Sequence, residues 1–282
     1  MGPAWAVLCG AVASGALELD WHTVVTLPLA VLLADSLLGS VWSVVNSDLR
    51  VAEGAPTGNP GRKTPVPSLP YTLPGSASAR FFEFLSKRMA WWRSTVWPQK
   101  GNLVLGLAFN SLLALLVSAL LGGVPVLLTA IALALAGCRL VLRSSREGVR
   151  LALGSCFLAG LPWLLGYTSF GDLGSLGSEP GVTVEALAMA AIYALAYHSY
   201  QVLSAEGLSG GAALLNLAHV TAAAMLVVVK QPILAGGVAL LFLPQLLLQP
   251  ALLTTHDGLG YLRQVQAPTM AAMMVTALAT AV

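Results

Sequence analysis

Side chains able to do chemistry are few in this 282-residue chain, and most of them sit in apolar surroundings. One carboxylate, Asp35, stands near the middle of an apolar run, LLADSLLGSVWSVVNSD. A charged group in hydrocarbon is costly and as a rule faces a partner, a cavity or a ligand. Ser36, Gly39, Ser40, Ser43 and Asn46 follow it, so small and polar residues mark a face turned away from lipid. Two readings are open: a protonated or paired Asp with small residues that let helices pack closely, or a carboxylate that lines a cavity. His198 and His219 lie inside later apolar runs. Neutral imidazole is a good axial ligand for a metal, a haem or a chlorophyll magnesium, and a hydrogen bond between helices is its other use. Asn110, Tyr193, Tyr197, Tyr200, Asn216, Gln245 and Gln249 complete the intramembrane candidates, while His22 and His256 fall at run ends and are read as solvated.

No HExxH, nucleophile elbow, Walker loop or haem-binding CxxCH occurs. Cys9, Cys138 and Cys156 have no CxxC spacing and lie in or beside apolar runs, so they read as small packing residues rather than a disulfide framework or a zinc site. No run carries the Arg ladder of a voltage sensor. Retinal attachment would need a Lys deep in a late run, and Lys230 sits at a turn. Ion-coupled transport normally uses several buried carboxylates, which are lacking here.

The elements that must position these groups follow from composition. Hydrophobic residues make up 57% of the chain and charged residues 9%, with a mean hydropathy of +0.80. Soluble domains carry about 25% charged residues, so most of this surface faces lipid. Long apolar runs rather than period-two alternation exclude an outer-membrane barrel and predict an all-α polytopic membrane protein. Runs fall at 3–19, 22–46, 101–121, 124–142, 150–170, 183–203, 212–230, 232–253 and 264–282. A spanning helix needs about 20 apolar residues, so about nine transmembrane helices in a single domain over 1–282 are predicted. The start lacks a basic stretch ahead of the first run and a cleavage site, so Met1 onward is read as mature protein.

Charge placement orients the bundle, because cytoplasmic loops concentrate Lys and Arg near helix ends. With nine spans and a cytoplasmic N-terminus, every base except Lys230 falls inside, from Arg50 through Arg62, Lys63, Arg80, Lys87, Arg88, Arg93, Lys100, Arg139, Arg143, Arg146 and Arg150 to Arg263. The opposite loops carry Glu18, Asp20, Asp172, Glu179 and Glu185. The long cytoplasmic loop over 47–100 has two parts. Its 55–75 stretch, with six prolines from Pro56 to Pro74, is an extended strap. Over 77–97, Phe82, Leu85, Met89 and Trp92 share one helical face opposite Arg80, Glu83 and Lys87. That predicts an amphipathic interfacial helix in which Arg80, Lys87, Arg88, Trp91, Trp92 and Arg93 meet the membrane surface. It serves as an anchor, or as a lid or docking surface over a cavity.

This layout resembles the UbiA superfamily of intramembrane prenyltransferases, which includes chlorophyll synthases and quinone-pathway enzymes. Nine helices with the N-terminus inside and the longest cytoplasmic loop after the second helix match that family. The stretch AGLPWLLGYTSFGDLGSLGSEPGVTVEALAMAAIYALAYHSYQVLSAEG resembles its fifth helix, outer loop and sixth helix, and DGLGYLRQVQAPTMAAMMVTALA resembles its last cytoplasmic turn and ninth helix. The resemblance implies two Asp-rich motifs that hold magnesium against a departing diphosphate. The first should read NxxxDxxxD, yet Asn46 is followed at those spacings by Arg50 and Gly54, with Asp48 and Glu53 out of register. The second motif region, YHSYQVLSAEG, offers Glu206 alone.

The expectation is therefore a divergent, non-catalytic UbiA-like protein. It would hold an isoprenoid-type lipid or pigment, such as a quinone, a carotenoid or a chlorophyll tail, and serve as a structural or accessory subunit of a membrane complex; a pigment would place it in photosynthesis. Asp35, Asn46, Asn110, Tyr197, His198 and His219 are the cavity candidates. The alternative is an active prenyltransferase with a rearranged magnesium-diphosphate site built on Asp35, Asp48, Glu53 and Glu206. The expected partners are the bilayer of a bacterial cytoplasmic membrane and other membrane chains, with no nucleic acid.

Overall fold

The computed structural model describes residues 2–18, 20–47, 97–142, 147–171, 180–205 and 208–281. The expected strap, the amphipathic helix apart from Trp97, and Asp48, Glu53 and Glu206 lie outside them, as do Arg80, Lys87, Arg88, Trp91, Trp92 and Arg93. Among the described residues all regular structure is helical, in nine rods. In chain order these are α1 (Pro3–Ala13); α2 (Trp21–Val31) continued through a π-helical segment (Leu32–Leu38) into α3 (Gly39–Ser47); α4 (Trp97–Leu121); and α5 (Gly123–Leu142). Then come α6 (Glu147–Ser155) continued through a second π segment (Cys156–Gly160) into α7 (Leu161–Phe170); α8 (Pro180–Ser204); α9 (Leu208–Val228); α10 (Pro232–Thr255); and α11 (Gly258–Thr280). The chain divides into two units, 1–42 with 111–282, and 43–110. Of the second unit the described parts are the end of α3 and the first half of α4.

Local sequence explains the boundaries. Asp20 caps α2 by accepting the Thr23 N–H at 2.8 Å, and Asp257 caps α11 by accepting the Gly260 N–H at 2.8 Å. Tight turns place Lys230 and His256 at φ 63° and 57°, which closes the α9–α10 and α10–α11 hairpins within a few residues. Each π segment has a proline nearby, Pro28 before the first and Pro162 after the second. Proline removes an N–H from the helical ladder and crowds the carbonyl four residues back, which favours a local change of helix type.

Among the described residues five helices are long and apolar enough to cross a membrane: Trp21–Asn46, Gly101–Leu121, Gly148–Phe170, Leu208–Val228 and Pro232–Thr255. Exposed Leu112, Leu116 and Leu120 on α4 and Leu240, Leu243 and Leu247 on α10 give outward apolar faces suited to lipid. The chain is an integral membrane protein of the all-α class. Gly123–Arg139 is a shorter apolar helix, and α8 and α11 are long but interrupted by Glu185, His198 and Gln201, and by Arg263, Gln264 and Gln266. The run expected over 3–19 is helical only to Ala13, because Gly15 at φ 69° ends it. Eleven residues rise about 17 Å, roughly half a hydrocarbon core, so α1 by itself does not cross.

α1 is nested in the protein instead. A Cβ on Gly10 would strike the Trp163 carbonyl, and one on Gly166 would strike the Val7 carbonyl, so α1 and α7 meet backbone to backbone. Buried Cys9, Trp163, Tyr193 and Met273 join these helices to α8 and α11 in one apolar cluster. A second cluster around Leu203, Leu215, Leu252 and Val265 fills the other end of the α8–α11 bundle. Cys9 packs as expected, whereas Cys138 and Cys156 are exposed, which an apolar side chain tolerates on a lipid-facing surface.

Candidate functional site

Helices α8 to α11 enclose a cleft lined by residues that include Tyr193, Ala196, His219, Ala222, Thr269 and Met273. It is small, with about 20 Å³ of open space, room for about one water molecule in all. Its walls are apolar. His219 is 5% exposed; its Nδ1 lies 3.0 Å from the Leu215 carbonyl oxygen, and its ring stacks on Phe242 of α10 at 5.2 Å. A carbonyl only accepts, so the uncharged imidazole carries its hydrogen on Nδ1 and keeps a lone pair on Nε2. The hydroxyl hydrogens in the cleft are committed to backbone: Thr269 donates to Val265 O at 2.8 Å, Thr276 to Met273 O at 2.7 Å, and Tyr193 also to Met273 O.

One turn beyond the cleft is an amide cluster. Gln245 Nε2 donates to Asn216 Oδ1 at 2.7 Å, Gln249 Nε2 donates to the same oxygen at 2.5 Å, and Asn216 Nδ2 returns a bond to Gln249 Oε1 at 3.3 Å. The Tyr261 hydroxyl donates to the Gln245 carbonyl at 3.2 Å. Gln245 is 1% exposed, and its Oε1 has no partner among the described residues. Turning all three amides over transfers the orphan to Gln245 Nε2 without removing it.

A third polar group joins α6 to α8. Ser155 Oγ donates to the Leu151 carbonyl at 2.7 Å and lies 3.3 Å from both His198 Nδ1 and Gln201 Oε1. Gln201 also bonds Tyr197, one turn back on the same helix. Trp42 stacks on Phe157 at 4.6 Å beside this group, and Gly154 leaves room there, since a Cβ would come within 3.3 Å of the Trp42 ring and 3.1 Å of Gln201 Nε2.

The expected candidates are thus distributed rather than gathered. Tyr197 and His198 share the Ser155 group, and His219 stands in the cleft. Asp35 is exposed in the first π segment, with no hydrogen bond or ion pair among the described residues. Asn46 and Asn110 belong to the 43–110 unit, where both are half-buried. Among the described residues no three His, Cys, Asp or Glu side chains come together as metal ligands do. Asn216, Gln245 and Gln249 stand out in the sequence one by one, with no motif that joins them. Their signal was the i, i+4 spacing of the two glutamines, which places them on one face. Ser155, Gln201, Phe242, Thr269 and Thr276 gave no comparable signal, being ordinary residues of membrane helices.

No family model matches the chain, and neither a curated protein nor a solved structure matches it.

Proposed function

We propose that this protein is a membrane-embedded holder of an isoprenoid-type lipid, built on a nine-helix, UbiA-like plan without prenyl transfer, and acting as an accessory subunit of a membrane complex. The observation that carries this reading is the cleft among α8 to α11, apolar on its walls, with the His219 ring among its lining. Its open space, about that of one water molecule in all, excludes a ring system inserted whole and admits no more than the end of a slender chain without side-chain movement. That favours a linear isoprenoid, or the tail of a quinone or chlorophyll, over a ring system inserted whole. The charge asymmetry supports a bacterial inner membrane with the base-rich loops, 47–100 among them, on the cytoplasmic side.

Mass spectrometry and absorbance of lipid extracted from the gently solubilised chain test the proposal. Stoichiometric co-purified isoprenoid is the expected result. A preparation free of isoprenoid that turns over an allylic diphosphate with magnesium, and loses that turnover on Asp35→Asn, would replace the holder with a transferase using a rearranged site.

A further inference from the structure

The first π segment has a packed side and an open side. Leu33, Ala34, Leu37 and Leu38 are buried, whereas Leu32, Asp35 and Ser36 are exposed. The span that holds them runs from Trp21 to Asn46, so Asp35 stands about 15 Å from its nearer end, far inside the hydrocarbon. A long side chain at such depth can snorkel to the interface. Aspartate has a single methylene and cannot, so whatever answers its charge must come to it. Nothing among the described residues does. The surface beside the carboxylate is shallow. Ser36 is small, and a Cβ added to Gly39, one turn on, would meet only the Ala34 carbonyl oxygen of its own rod, at 3.7 Å. Another helix can therefore approach there nearly to backbone contact.

Charge decides what kind of helix that is. A hydroxyl or an amide would solvate a carboxylate and leave its charge standing, whereas a Lys or Arg both neutralises it and donates hydrogen bonds. A second copy of this chain has no such group at that depth, since each Lys and Arg of the sequence lies in a loop or within a few residues of the end of an apolar run. We propose that the outward face around Leu32, Asp35, Ser36 and Gly39 docks a spanning helix of a different membrane protein, with a Lys or Arg at the middle of that helix paired to Asp35. The inference rests on the accessory-subunit reading and supplies the partner's chemistry and its place of attachment.

The test uses the full chain in nanodiscs, with a leucine-rich spanning peptide carrying one central lysine and its all-leucine counterpart as probes. The lysine peptide is expected to associate about five- to thirtyfold more tightly, the worth of a polar contact between helices in lipid. Asp35→Asn should bring the ratio close to one, and Asp35→Glu, which keeps the charge, should retain most of it. Equal association of the two peptides, or a preference that survives Asp35→Asn, overturns the proposal. Cross-linking of two copies through Ser36→Cys, in a chain cleared of its own three cysteines and with no peptide present, also overturns it by making a second copy the occupant. The chain released gently from its own membranes should run as a larger assembly that Asp35→Asn disperses. An assembly that survives Asp35→Asn removes the docking face and leaves the subunit reading intact, and a chain that runs alone removes both.

Discussion

Gln245 of α10 donates to the Asn216 side-chain oxygen of α9 at 2.7 Å, and that oxygen is shared with Gln249. Two glutamines thus depend on one asparagine. Asn216→Leu strips partners from both and should cost about 1–2 kcal/mol. Gln245→Leu removes a group whose far end is already unpartnered and should cost less. Reversible unfolding in mixed micelles ranks the two; a larger loss for Gln245→Leu would show that the orphaned end has a partner.

The α1–α7 crossing admits no side chain at Gly10 or Gly166. Gly166→Ala should therefore cost about 1–3 kcal/mol through overpacking. On α5 the space around Gly137 is open, and Gly137→Ala should be neutral or stabilising by up to about 1 kcal/mol on helix propensity. Thermal denaturation of the two variants side by side measures the contrast.

Asp20 lies ahead of α2, outside its span, and the Thr23 N–H holds its carboxyl below the usual range. A carboxyl lowered on folding contributes stability above its unfolded pKa of about 3.9, and that contribution is lost as pH falls through the folded value. Protection of the Thr23 amide, measured against its intrinsic exchange rate, should fall on acidification below that range, and Asp20→Ala should remove it at neutral pH. An NMR titration placing the carboxyl at or above about 3.9 would contradict the cap.

If the charge asymmetry sets the topology, the α9–α10 turn faces outward and the α10–α11 turn inward. In a chain cleared of its own three cysteines, Gln231→Cys should react with an impermeant maleimide from outside, and Thr255→Cys only in inverted vesicles. Labelling of both from one side would mean that α10 does not cross the membrane.

Helix class and the five long apolar helices were legible in the sequence because burial in lipid requires continuous apolar runs, and such runs are unmistakable. The end of α1 was not, since Ala16 and Leu17 carry the apolar text past the helix while the Gly15 backbone ends it. Asp35 drew attention for its position in a run, but position does not give azimuth, and the π segment turns it outward. His219 was visible as an intramembrane histidine. Its commitment to Leu215, in its own helix, was not, because a backbone carbonyl leaves no trace in residue type. The amide cluster needed the α9–α10 hairpin to close before Asn216 could meet glutamines 29 and 33 positions later.

The π segments at Leu32–Leu38 and Cys156–Gly160 make each of their rods two wheels on one axle. A π turn advances fewer degrees per residue than an α turn, so the stripe entering the segment leaves it with a phase lag. A scanning mutagenesis profile along 21–47 or 148–170 should keep its 3.6-residue rhythm on either side of the segment and lose step across it. A single helical wheel drawn over either span misplaces one half of its residues by that lag.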